Sequence, residues 1–274
     1  MADPNEDPEH HEEEDGGGAV KSFLEHLEDL RWTLIKAGVC LMIGMLVCLV
    51  AGNYLTRFLT QPLEKSNLLL KTEKIQLEYF DPAGPFVSAL HMAFFGGVLL
   101  TAPIIFYFVL QFVLPALKII EKKYLFRALI AGSALFLAGV SLCYFWVMPL
   151  ALKATVQYSN WLLGGAAKTL HTWRAETYFS FLTKCMIGMG LGFEMPVVLL
   201  TLVKIGVLDY RKLAAMRRYM IVICLVLGAL LTTPEVLTQV IMAVPLYGLY
   251  EISVWIAWYW ERGERRQHQS GGTD

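Results

Sequence analysis

Apolar runs dictate what this chain can fold into. Stretches of about 17 to 25 apolar residues, the length a helix needs to cross roughly 30 Å of hydrocarbon, occupy the sequence near Leu34 to Leu55, Phe86 to Leu110, Leu125 to Val147 and Thr177 to Val203. The composition agrees: 56% of the 274 residues are hydrophobic, 17% are charged and the mean hydropathy is +0.50, too apolar for an ordinary soluble domain. Two further runs are less regular. Tyr219 to Leu231 is short for a span, Thr232-Thr233-Pro234-Glu235 interrupts it, and Val236 to Trp260 follows with Pro245 and Glu251 inside. One kinked helix would bury the Thr-Thr-Pro-Glu turn in lipid with unsatisfied backbone groups, so the pattern predicts a hairpin of two short helices. The expected fold is an all-α polytopic membrane protein of six transmembrane helices, the last two short.

Basic residues orient it. With six spans, one side receives Lys21, Arg31 and Lys36, then Lys118, Lys122, Lys123 and Arg127, then Lys204, Arg211, Lys212, Arg217 and Arg218, and finally Arg262, Arg265 and Arg266. The other side receives Arg57, Lys65, Lys71, Lys74, Lys153, Lys168 and Arg174, while Lys184 falls inside a span. The excess places both termini in the cytoplasm. The first span does not read as a cleaved signal peptide, because the residues before it are acidic rather than basic and no A-x-A-like site follows it. Residues 1–20 read as a disordered acidic tail, 21–260 as the membrane domain and 261–274 as a polar tail.

The five cysteines, Cys40, Cys48, Cys143, Cys185 and Cys224, lie in the apolar runs without C-x-x-C or His spacing, so they suggest neither a metal site nor a disulfide framework. Walker loops, nucleophile elbows and H-E-x-x-H helices are absent from the sequence. We therefore expect no enzyme, no cofactor and no nucleic-acid partner. The halves of the chain do not resemble each other, which argues against the repeats of many secondary carriers. On the far side, Gly52 to Pro85 is long enough to carry structure of its own. The second far-side loop, Pro149 to Glu176, holds Tyr158, Trp161 and Trp173, suited to an interface.

Glu194 is the misplaced charge. It sits in Gly192-Phe193-Glu194-Met195-Pro196 within an apolar run, where a carboxylate costs several kcal/mol unless it meets a partner or water. Lys184, ten residues earlier, is about 15 Å along a helix and roughly 80° around it, so the two cannot pair directly. Glu194 is therefore expected to face a polar cavity or another helix's donor, or to be protonated through desolvation, on the wall of a concave bowl of helices.

Five segments together resemble the TatC family, the core component of the twin-arginine protein translocase. His26-Leu27-Glu28-Asp29-Leu30-Arg31 is similar to the family's H-L-x-E-L-R lead into the first span. Pro103, Tyr107, Phe112, Pro115 and Leu117 keep the spacing of P-x-x-x-Y-Q-x-W-x-F-x-x-P-x-L, with Phe108 and Leu110 replacing Gln and Trp. The Glu194 segment resembles F-E-x-P, Leu230 to Glu235 resembles L-L-T-P-P-D, and Ala243 to Ile252 resembles A-x-P-x-Y-x-L-x-E-I. Asp29 and Glu235 are acid-for-acid departures.

The resemblance implies a receptor and core subunit in the bacterial inner membrane that recognises twin-arginine signal peptides and helps export folded proteins using the proton-motive force. It implies TatA-like and TatB-like single-span partners, membrane lipids and an oligomeric receptor complex. Arginine pairs pair well with carboxylates, so Asp29 and Glu121, with Glu28 and Arg31, are the expected signal-peptide site. Glu194 is the expected intramembrane docking point, and Pro62, Phe112, Pro115, Glu235 and Glu251 are expected structural or partner contacts. The alternative reading is a small-solute carrier with Glu194 in ion coupling. A reporter fused after Asp274 should be active only in the cytoplasm, and activity outside would overturn the six-span count.

Overall fold

The computed structural model describes residues 23–70, 75–113, 122–162, 171–204, 206–231 and 236–270. Its helices are α1 (Phe23–Val50), α2 (Gly52–Leu69), α3 (Gly84–Val113), α4 (Lys122–Leu142), α5 (Met148–Leu162), α6 (Ala175–Phe193), α7 (Met195–Lys204), α8 (Tyr210–Leu231) and α9 (Val236–Ser270). A π-helical turn, Cys143–Val147, joins α4 to α5. Two short strands, β1 (Ile75–Glu78) and β2 (His171–Arg174), pair in parallel. Six helical stretches are long and apolar enough to cross a membrane. The acidic start of the chain, Pro115, Glu121 and the Thr232 to Glu235 turn lie outside the described residues.

The principal contacts form an open series. α1 lies on α3, α3 on α4 and α6, α6 on both α8 and α9, and α9 on α8; among the described residues α1 and α8 do not pack on each other, so the wall is unclosed. The seam between α1 and α3 is made of small residues. A Cβ on Gly97 would stand 2.8 Å from the Met45 nitrogen, and one on Gly44 would stand 2.5 Å from Thr101 Cγ2, so the backbones touch as in other small-residue crossings in membranes. Cys48 belongs to this seam, packed beside Gly96.

Several boundaries differ from those read off the apolar runs, and the reasons are in the backbone. The first span stops at Val50, and Leu55 belongs to α2, an amphipathic helix that follows the C-terminal end of α1. The third span does not end near Pro149. At the π turn the Met148 N–H donates to the Cys143 carbonyl, a wider closure that removes the steric and hydrogen-bonding conflict a proline brings to a regular helix. The fourth span is two helices, because Pro196 cannot donate and the helix breaks at Glu194. The last two helices are short only in their apolar stretches. α8 and α9 have 22 and 35 residues, and the charged sequence expected as a loop, Arg211 to Arg218, forms the first turns of α8.

α2 is fastened to the bundle through its own proline. Pro62, inside α2, has no N–H for the carbonyl four residues back, that of Phe58. The Tyr144 hydroxyl donates to that carbonyl at 2.6 Å, and the Tyr178 hydroxyl donates to the adjacent Leu59 carbonyl at 2.8 Å. Both tyrosines are 2% exposed. At the end of α2, Asn67 clasps Ile75 in both directions, donating to its carbonyl at 3.1 Å and accepting from its N–H at 2.9 Å. The long loop thus has structure of its own, and β1 and β2 tie it to the second far-side connection.

Tyr144→Phe should lower stability by about 1 to 3 kcal/mol, because the Phe58 carbonyl is left without a donor. Adding Pro62→Ala should recover most of that loss by restoring a backbone N–H. Thermal unfolding in detergent tests this: an unaffected Tyr144→Phe, or no recovery in the double variant, would contradict the coupling.

Candidate functional site

The lead-in sequence of α1 meets the end of α3. The His26 ring stacks on Phe112 with centroids 4.4 Å apart and planes 21° from parallel, an offset contact of the kind aromatic rings favour. One helical turn on, Asp29 shares that half-buried face, and its carbonyl accepts a hydrogen bond from the Thr33 hydroxyl at 2.8 Å. Glu28 and Arg31 are exposed on the opposite side of the same turns, and Glu25, one turn before Asp29 on its side of the helix, is exposed as well. The expected signal-peptide residues of α1 are thus divided: Asp29 is half-buried, while Glu28 and Arg31 are exposed. Glu121 and Pro115, which follow α3, lie outside the described residues. The His26 contact was not anticipated, although both rings are motif positions at the same end of antiparallel spans.

Glu194 occupies the joint between α6 and α7. Its N–H donates to the Leu191 carbonyl at 3.1 Å and its carbonyl accepts from Val198 at 3.1 Å, so the backbone is satisfied on both sides of the break. The carboxylate is not. One oxygen is buried with no hydrogen-bond partner among the described residues, and the group rests against Gly132 of α4, where a Cβ would stand 2.7 Å from Oε2. Glycine at 132 is what leaves room for the acid. Around it the packing is equally close: a Cβ on Gly139 would stand 2.7 Å from Phe193, and one on Gly192 would stand 2.2 Å from Leu246. Lys184 is exposed and ten residues away on α6, in keeping with the helical spacing that separates the two charges.

A third carboxylate has a charged partner, although its Oε2 is likewise buried without a hydrogen bond among the described residues. Glu251 on α9 pairs with Arg217 on α8 at 2.7 Å and also accepts from the Trp255 indole at 3.3 Å. Near it the Tyr250 hydroxyl donates to the Leu213 carbonyl, and Glu261 accepts from the Tyr210 N–H at the start of α8. Toward the other ends of the helices, the Gln239 amide donates to the Leu225 carbonyl at 2.9 Å. Glu251 is therefore a structural tie that holds the α8–α9 hairpin. Glu235, between α8 and α9 in sequence, lies outside the described residues.

Comparisons with known proteins agree on one family. Residues 25–245 match the profile of the Sec-independent protein translocase protein, TatC. The TatC of Aquifex aeolicus is 36% identical over 235 residues, covering 85% of this chain and 92% of that protein. The TatC of Akkermansia muciniphila is 42% identical over 186 residues, 68% of this chain, which spans only 52% of that longer protein. The chloroplastic protein of Pisum sativum is 31% identical over 236 residues. Among solved structures, the crystal structure of the twin arginine translocase receptor TatC superposes with a TM-score of 0.74 at 34% identity, covering 85% of this chain and 98% of that one.

The Arg217–Glu251 pair is part solvated, so Arg217→Gln and Glu251→Gln should each cost only about 1 kcal/mol or less. Because they remove the same interaction, the double variant should cost scarcely more than either single one. Strict additivity in thermal unfolding would show that the two side chains do not act together.

Proposed function

The chain belongs to the TatC family, and from that premise we propose that it is the signal-peptide receptor and core subunit of a twin-arginine translocase in a bacterial inner membrane. In this reading both termini are cytoplasmic, and the face carrying Asp29 receives the signal peptide of a folded precursor. The observation that carries the reading is the His26–Phe112 stack, which holds the α1 lead-in against the end of α3. Asp29 lies one turn beyond that stack, and Glu121 follows a short distance after α3 in sequence.

Chemistry favours carboxylates for this task. An arginine pair presents two planar guanidinium forks, and each fork can make two charge-assisted bonds to one carboxylate. Two acids near one another repel when empty, which raises the gain from a dicationic ligand. Lysine offers a compact, strongly hydrated ammonium in place of the fork, so a Lys-Lys peptide should bind less tightly.

Glu194 has a second role in this reading. An unpartnered carboxylate oxygen facing Gly132 on the wall of an open helix series is a docking point for a polar group carried into the membrane. That group would belong to a TatA-like or TatB-like single-span partner or to the signal peptide, and the driving energy would come from the proton-motive force.

Asp29→Asn and Glu121→Gln should each weaken binding of an Arg-Arg signal peptide by on the order of 1.5 to 3 kcal/mol. Unchanged affinity in both would remove the receptor assignment of these acids. Glu194→Ala and Gly132→Ala should both impair partner crosslinking and transport, the first by removing the carboxylate and the second by displacing it. Full transport by both variants would show Glu194 to be a tolerated polar group.

A further inference from the structure

Between α1, α2, α3, α4 and α6 lies a cavity of about 330 Å³ that none of the functions above uses. Its interior is apolar, with Met92, Leu99 and Met186 in the wall. Of the polar side chains that reach it, Tyr144 and Thr183 are already committed, the first donating to the Phe58 carbonyl and the second to the Phe179 carbonyl at 2.7 Å, which leaves the exposed Ser141. Water therefore finds few partners inside. The mouth is formed by Phe58, Leu100 and Phe145, which are 43%, 56% and 57% exposed. Leu100 and Phe145 belong to membrane spans, so the opening is lateral, toward lipid. Phe145 stands in the π-helical turn, a feature that often marks functional sites.

Size and charge identify the occupant. A helix is about 10 to 12 Å across with its side chains, too wide to lie between α3, α4 and α6, which already pack on one another, so a partner helix does not enter the cavity. An extended hydrocarbon chain does. At the mouth the Lys65 ammonium lies 4.7 Å from the centre of the Phe145 ring, held by cation–π attraction at the edge of the membrane where α2 lies. We propose that this cavity binds one phospholipid of the leaflet opposite the termini, with an acyl tail between α3, α4 and α6 and its phosphate on Lys65. The lipid completes the packing beneath α2, which the protein alone leaves open.

A phospholipid carrying a photoactivatable diazirine near the end of one acyl chain tests this in vesicles of phosphatidylethanolamine and phosphatidylglycerol containing the full chain. Adducts mapped by mass spectrometry should appear on Met92, Leu99 or Met186 as well as on the lipid-facing Val39, Met42 and Leu46 of α1. Leu99→Trp, which fills the cavity, should reduce the cavity adducts by about tenfold relative to those on α1. Lys65→Glu, an exposed change that leaves the cavity intact, should reduce them by about fivefold, and it decides the question if Leu99→Trp fails to fold. Labelling confined to α1, or cavity labelling unchanged by Lys65→Glu, would overturn the proposal.

Discussion

A buried backbone carbonyl left without a donor is costly, by several kcal/mol where it faces hydrocarbon, and the fold is arranged around the places where prolines create that problem. Pro62 frees the Phe58 carbonyl, and the Tyr144 hydroxyl takes it up. Pro149 follows a π-helical turn whose wider closure absorbs it. Pro196 ends α6, and the break leaves Glu194 at the joint. The same constraint thus fastens α2 to the bundle, bends the third span and sets the position of the intramembrane acid.

Two carboxylates at membrane depth have opposite fates, and their neighbours explain why. Glu251 faces a guanidinium 2.7 Å away and an indole N–H, so it joins two helices. Glu194 faces the bare backbone of Gly132 and keeps one oxygen unpartnered among the described residues. Each acid keeps one buried oxygen without a hydrogen bond among the described residues, but the Glu251 charge is balanced by Arg217, whereas an acid with no cation beside it in a low-dielectric wall gains free energy from a donor that reaches it. That difference, rather than the presence of a charge, separates a structural residue from a candidate docking point.

Much of this was legible in the sequence because membrane spans announce themselves by length and composition. The six spans, the short apolar stretch of α8 and the isolation of Glu194 from Lys184 all follow from apolar runs and helical geometry. Other features depend on partners distant in the chain. Ile75 to Glu78 and His171 to Arg174 are too short to read as strands, and only their mutual pairing makes them so. Cys143 to Val147 reads as ordinary apolar helix, and its π turn reflects the proline that follows. Pro62 was recognisable as a candidate, but its reason lies in Tyr144, 82 positions away (144 − 62). Neither His26 nor Phe112 carries a local sign of their stack.

The receptor reading rests on a peptide lying along the lead-in of α1, and Leu27, 44% exposed between His26 and Glu28, is placed to report it. A photo-crosslinking amino acid at position 27 should form an adduct with the arginine-bearing segment of a twin-arginine precursor. Changing the pair to Lys-Lys should lower the yield by about tenfold, the loss expected when bidentate guanidinium contacts are replaced. Equal yields from the two precursors, or no adduct with either, would contradict the assignment of this face as the receptor surface.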